Sequence, residues 1–195
     1  MSNFGAEYFK DKKIISHEVL EEVAQVLPHI KGKTVLDVAC GTGRHGYLLE
    51  FYRYDVTYLD ISRDALDQVW WSDKKILVDF VNGRVEGKWD TVLSFHFLEH
   101  LSNYELAVAL RKMHNLARYR VINVIPHPKH SEFKNDPTHK MTSLRTFLNI
   151  YRVEFPNTKI LFFDNRWLND WYTWLRAPYE WTVLKFTDVL LVSEV

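Results

Sequence analysis

The stretch "VLDVACGTGRHG", residues 35–46, decides how this chain is read. A short apolar run ends in glycines, and a helical pattern begins just after them. Gly41-Thr42-Gly43-Arg44-His45-Gly46 is literally a G-x-G-x-x-G. Such glycines let backbone N–H groups approach a ligand at a helix N-terminus, which suits a dinucleotide pyrophosphate. Alone the pattern is weak. Two acids sharpen it. Asp60 lies 17 residues beyond Gly43, at the end of the next apolar run, where an acid would meet ribose hydroxyls. Asp37 lies inside the first run, four residues before Gly41. A fixed negative charge there repels a pyrophosphate. It suits a ligand bearing an ammonium group, or it holds the loop's N–H groups in place.

Working outward, Val19, Leu20, Val23, Val26, Leu27 and Ile30 recur at helical spacing and predict a helix over 16–30. Strands are expected at 34–39, 55–60, 75–80, 90–97 and 119–125, with two more at 158–164 and 188–194. Helices are expected from Arg44 to Phe51, after Ser62 as cap, over 103–118 and over 143–151. Strand and helix alternate five times, which predicts an α/β fold with a parallel sheet covered on both faces. Ligands in such sheets bind beyond the carboxyl ends of the strands, so the loops after Ala39, Asp60, Asp79, Phe95 and Ile125 should converge.

The 195 residues fit one domain, 1–195, with an N-terminal helical cap over 1–31 and a long loop over 126–143 above the site. The 25 basic and 25 acidic residues cancel, which argues against a nucleic-acid binder with a broad phosphate-contacting surface. A single cysteine, Cys40, forms no internal disulfide and suits a reducing cytoplasm. No apolar run reaches the roughly 18 residues of a membrane span, so no membrane partner is expected.

"VLDVACGTG" resembles the first motif of the class I S-adenosylmethionine-dependent methyltransferases: an acid, three residues, then G-x-G. The family often has another glycine two after the acid, where this chain has Ala39. The similarity continues with Asp60 in "VTYLDIS" as the ribose-binding acid, and with Asp79-Phe80 where the adenine amino group is met. "WDTVLSFHFLEHL" (89–101) resembles the fourth strand and the following segment of the small-molecule branch. "DPTHKMTSLRTFL" (136–148) is similar to that branch's D-x-x-H stretch. The resemblance implies a three-layer, doubly wound, seven-stranded Rossmann-like sheet, mostly parallel with an antiparallel last strand. It implies S-adenosylmethionine as cofactor, bound by Asp37, Ala39, Gly41, Gly43, Asp60, Ile61, Asp79, Phe80 and Phe95.

Methyl transfer is an in-line displacement whose sulfur leaves neutral, so a base is needed only where the acceptor carries a proton. His96, just after the fourth strand, and His139 are the catalytic candidates. If "HFLEH" opens a helical turn, His96, Glu99 and His100 share a side, and two imidazoles with a carboxylate can ligate a transition metal. The same signature is frequent without one, and no metal is expected. Arg44 and His45 open the helix after the loop, where a solvated surface position is the plain reading. Cys40 reads as a buried filler, the loop's helix dipole being the one feature that would lower its pKa. Tyr8 and Phe9 suit an N-terminal flap or a staple on the body. His127 and His130 lie in the long loop, and Trp167, Trp171, Trp174 and Trp181 suit core packing, a lid or self-association.

The expected activity is transfer of a methyl group to a small molecule, at oxygen rather than nitrogen. The short chain points to an open pocket or to one completed by a second copy in a homodimer. Rivals are an RNA or protein methyltransferase, an NAD(P)-dependent oxidoreductase, for which no Tyr-Lys pair is convincingly placed, and a non-catalytic cofactor-binding protein.

Overall fold

A computed structural model describes residues 15–128, 136–141, 143–163 and 188–195. Helix α1 (His17–Val26) starts where the Ser16 hydroxyl accepts from the Val19 N–H, and it continues as a 3₁₀ turn, Leu27–His29. Strand β1 (Thr34–Val38) leads through the glycine loop to α2 (Arg44–Phe51). Then come β2 (Asp55–Asp60), the short α3 (Arg63–Leu66) capped by Ser62, and β3 (Lys75–Leu77). Strand β4 (Trp89–Phe95) runs into a 3₁₀ turn, Leu98–His100, and α4 (Asn103–Leu116) opens on a Ser102–Glu105 capping box. Strand β5 (Ala117–Pro126), α5 (Leu144–Glu154), β6 (Lys159–Phe163) and β7 (Asp188–Glu194) complete the described elements.

Among the described residues, seven strands form one sheet in the order β3-β2-β1-β4-β5-β7-β6. The first five pair in parallel, and β7 lies antiparallel between β5 and β6. Side chains alternate across the sheet, which makes two cores. Leu36, Val38, Leu59 and Val92 face the helices α4 and α5, whereas Val35, Tyr58, Leu93 and Phe95 face α1, α2 and α3. This alternation is why Asp37, one residue after Leu36, points into the α1–α3 layer beneath the glycine loop.

Two expected strands end early, each for a local reason. The third stops at Leu77 because the Asp79 carboxylate draws the Val81 and Asn82 N–H groups into a turn. The fourth stops at Phe95 because His96 takes a left-handed φ of +51°. No helix among the described residues is long and apolar enough to cross a membrane. Tyr8, Phe9, His130 and the four C-terminal tryptophans lie outside the described residues.

Candidate active site

The loop between β1 and α2 is a run of left-handed residues: Ala39 at φ +57°, Gly41 at +54° and Gly43 at +74°. At Gly43 the requirement is double, since a Cβ would also lie 2.8 Å from Val69 Cγ2 and 3.0 Å from Tyr58 Cε1. Asp60, at the end of β2, locks this loop from the side. Its Oδ2 accepts from the Gly41 N–H at 2.8 Å, and its Oδ1 accepts from the Ser62 N–H at 2.8 Å. Burial pushes the Asp60 carboxyl above its ordinary pKa, against the pull of the Ser62, Gly41 and Ile61 amides. A carboxylate has roughly four acceptor positions, so these amides still leave Asp60 capacity to accept from a hydroxyl.

Asp37 is 1% exposed, and its Oδ2 has no hydrogen-bond partner among the described residues. Burial first, then the nearby charge of Asp60, pushes its pKa up to about 8, with the Gly46 amide opposing. Burial, with Asp60 nearby, thus resists the negative charge expected at this position and favours the neutral carboxyl. A cation beside the pair removes that resistance. Cys40 is buried, and its thiol is raised well above the ordinary range by burial and by Asp37 and Asp60, which overrides the loop's helix dipole.

The adenine end is less open than the sequence suggests. Asp79 accepts from the Val81 N–H at 2.9 Å and the Asn82 Nδ2 at 2.9 Å, the turn role that was the alternative for it. These contacts hold its carboxyl low despite some burial. Phe80 is buried against Phe97, while Ile61 stays exposed at the end of β2.

The end of β4 is built from side chains, and its centre is a residue the sequence reading passed over. Glu22 of α1 is 1% exposed and bridges two histidines. Its Oε2 lies 2.5 Å from His45 Nε2 and its Oε1 lies 2.6 Å from His96 Nε2. His45 is thus not a solvated surface group. It is buried and stacks on Phe95 at 3.8 Å with the rings 6° from parallel. Burial works against a charged His96, but Glu22, by charge and hydrogen bond, together with Asp188 and Glu99, raises its pKa well above the ordinary value. Burial lowers that of His45 despite Glu22. The raised pKa favours the imidazolium form of His96, in which Nε2 donates to Glu22.

His96 Nδ1 faces Glu99 Oε1 at 3.7 Å, and His100 Nε2 approaches the same oxygen at 3.9 Å. The expected convergence of these three residues is therefore present, made by a left-handed residue followed by a 3₁₀ turn. Glu99 is completely buried, neither carboxylate oxygen has a hydrogen bond among the described residues, and burial pushes its pKa up to about 7. The Glu99 carbonyl accepts from the Lys140 and Met141 N–H groups at 2.8 and 3.1 Å, which pins the D-x-x-H stretch to this turn. His139 thereby comes within 4.8 Å of His100, ring to ring, with its Nε2 3.6 Å from Asp136 Oδ2. Thr138 Oγ1 lies 2.6 Å from Asp136 Oδ1 and 3.0 Å from His100 Nδ1. Burial and His139 push the His100 pKa down to about 4. Donor atoms of Glu99, His100 and His139, and likewise of Glu18, Glu22 and His96, lie within 4.8 Å of one another. Cation-sized spacing is present in both groups, though Glu22 is already taken by two histidines and Glu99 has His96 as counter-charge.

Residues 35–119 match the family model of the methyltransferase domain. No curated protein sequence matches the chain. Among solved structures, it is similar to an S-adenosylmethionine-dependent methyltransferase from Archaeoglobus fulgidus, at 22% identity and a TM-score of 0.72, covering 96% of this chain and 98% of that one. Magnesium protoporphyrin IX methyltransferase from Synechocystis PCC 6803, solved with bound S-adenosylmethionine, is 16% identical over 91% and 79% of the two chains, with a TM-score of 0.60. A phosphoethanolamine N-methyltransferase from Haemonchus contortus is 12% identical over 90% and 52%, with a TM-score of 0.65. The structural likenesses carry the fold, and the methyltransferase-domain match extends over residues 35–119 of this chain.

Proposed function

We propose that this chain is an S-adenosylmethionine-dependent methyltransferase that moves the methyl group to an oxygen of a small-molecule acceptor. Asp60 takes the two ribose hydroxyls, the N–H groups of the Gly41–Gly43 turn meet the amino-acid end, and Asp37 supplies negative charge beneath the cation. Ala39, Ile61 and Phe95 frame this cleft, and Asp79-Phe80 closes its adenine end. The observation that carries the acceptor assignment is the pairing of His139 and His100, whose rings lie 4.8 Å apart beside the end of β4. A hydroxyl must lose its proton as it attacks, and an imidazole near neutrality suits that step.

His139 is assigned as the proton acceptor, with Asp136 beside its Nε2. His96, gripped by Glu22 at Nε2 and facing Glu99 with Nδ1, holds the end of β4 in place instead of removing a proton. Alignment of oxygen, methyl and sulfur does the rest, since orientation is worth up to about 7–11 kcal/mol. A cytoplasmic setting and an acceptor free in solution, with no nucleic acid, fit the balanced charge. The test is a panel of hydroxyl, amine and thiol metabolites, beside RNA and protein substrates, followed by release of S-adenosylhomocysteine. Turnover confined to hydroxyl compounds, and reduced roughly 10²-fold or more by His139→Ala, supports the reading. Turnover only on amines, or only on a macromolecule, overturns it.

A further inference from the structure

We infer that Glu22 is a positioning residue for methyl transfer: one carboxylate of α1 fixes the spacing between the helix after the glycine loop and the end of β4. This rests on the methyltransferase reading above. Glu22 shares the buried face of α1 with Val19, Val23 and Val26, a place where an apolar side chain would dock the helix at lower cost. A carboxylate buried there is tolerable only if its oxygens are met by good donors. Both are, at 2.5 and 2.6 Å, and the two donors belong to different walls of the cleft.

His45 belongs to α2, two residues after Gly43, so its position is rigidly tied to the loop. His96 follows β4 directly, in a left-handed conformation that costs a residue with a Cβ on the order of 1–2 kcal/mol. Such strain persists where neighbours over-determine the position. Here the His96 N–H donates to the Val124 carbonyl at 2.9 Å and the ring is gripped by Glu22. The stack of His45 on Phe95 closes the circuit from loop to helix to strand end and back. Without the carboxylate, no hydrogen bond would join the two imidazole rings.

The groups facing this centre come from five elements: Glu22 and Glu18 from α1, His45 with Arg44 behind it from α2, His96 from the end of β4, Glu99 from the 3₁₀ turn, and Asp188 from β7. Neutralising Glu22 leaves Glu18, Glu99 and Asp188 as the remaining acids near His96. The imidazolium then loses its strongest partner.

The experiment compares the wild-type chain with Glu22→Gln, which keeps size and one acceptor oxygen but removes the charge. Imidazole resonances followed by NMR read the His96 titration, and calorimetry with S-adenosylhomocysteine as probe reads the cleft. The expected result is a His96 titration shifted down by roughly one pH unit or more. Binding of the probe should weaken roughly tenfold, the scale of one lost charge-assisted hydrogen bond, and become pH-dependent between about pH 6 and about pH 8. A residue that only docks α1 would lower the melting temperature and move neither readout. A folded Glu22→Gln chain with the wild-type His96 titration and wild-type probe affinity overturns the inference. Should that variant fail to fold, His96→Gln tests the same bridge from its other end and must weaken the probe comparably; unchanged affinity overturns the inference. A wild-type chain that binds no probe contradicts the methyltransferase reading, while its His96 titration against that of the variant still decides whether Glu22 grips the ring.

Discussion

The two ends of the cleft are built by different means. On the β1–β2 side the loop is shaped by left-handed residues and locked by one carboxylate, Asp60, across 19 residues of sequence. Beyond β4 the groups are side chains from α1, α2, the 3₁₀ turn and the D-x-x-H stretch, joined across as many as 74 residues. The first end is specified by local conformation, and a short motif suffices to encode it. The second is specified by packing of distant segments, and no motif contains it.

The comparison breaks most readily at the first end. Gly43→Val forces a branched side chain into a φ of +74° and against Val69 and Tyr58. It should abolish S-adenosylmethionine binding and destabilise the fold by about 3 kcal/mol or more, as calorimetry and thermal melting would record. Near-normal binding by this variant would show that the loop is not conformationally fixed.

Asp60→Ala comes next. Losing two ribose hydroxyl bonds should weaken S-adenosylmethionine by about 2–3 kcal/mol. Because the Gly41 and Ser62 N–H groups lose their acceptor as well, the melting temperature should fall. His139→Ala is the matching change at the other end and should leave cofactor affinity unaltered while lowering kcat. Equal effects of both variants on cofactor binding would erase the division between the two ends.

Asp37 sharpens the comparison through pH. Its folded pKa of about 8 lies above its ordinary value of 3.8, so the folded state holds a proton that the unfolded state releases. Stability from this group is complete below about pH 4 and is lost as pH rises through about pH 8. Asp37→Asn should therefore raise the melting temperature, with a gain that grows from pH 5 toward pH 8. The same variant should bind the methyl donor more weakly. A pH-independent gain would mean that the carboxyl is not held neutral. The smallest effect belongs to Cys40, whose raised thiol pKa should keep it unreactive to alkylating reagents at neutral pH in the folded chain.

Legibility in the sequence follows the same division. The alternation of strands and helices, the glycine turn and Asp60 could all be read, because each depends on residues close in sequence or on a simple period. β2 and β7 occupy the expected 55–60 and 188–194. The early ends of β3 and β4 could not be read, because an Asp79 turn and a left-handed His96 are decisions of single residues. Glu22 was hidden for a different reason. On α1 it looks like a charge beside an apolar stripe, and only the docking of that helix turns it inward. The one available signal was a glutamate placed between Val19 and Val23 on the helix's apolar side. Asp37 lies in β1 as expected, but its raised pKa could not be read, since burial beside a second acid is a tertiary fact.

The most direct test is calorimetric titration of the same protein sample with S-adenosylmethionine and with NAD at pH 7, in buffers of different ionisation enthalpy. The account predicts that the methyl donor binds with release of a proton from Asp37, and that NAD gives no heat. Saturable NAD binding, with none for S-adenosylmethionine, would contradict it.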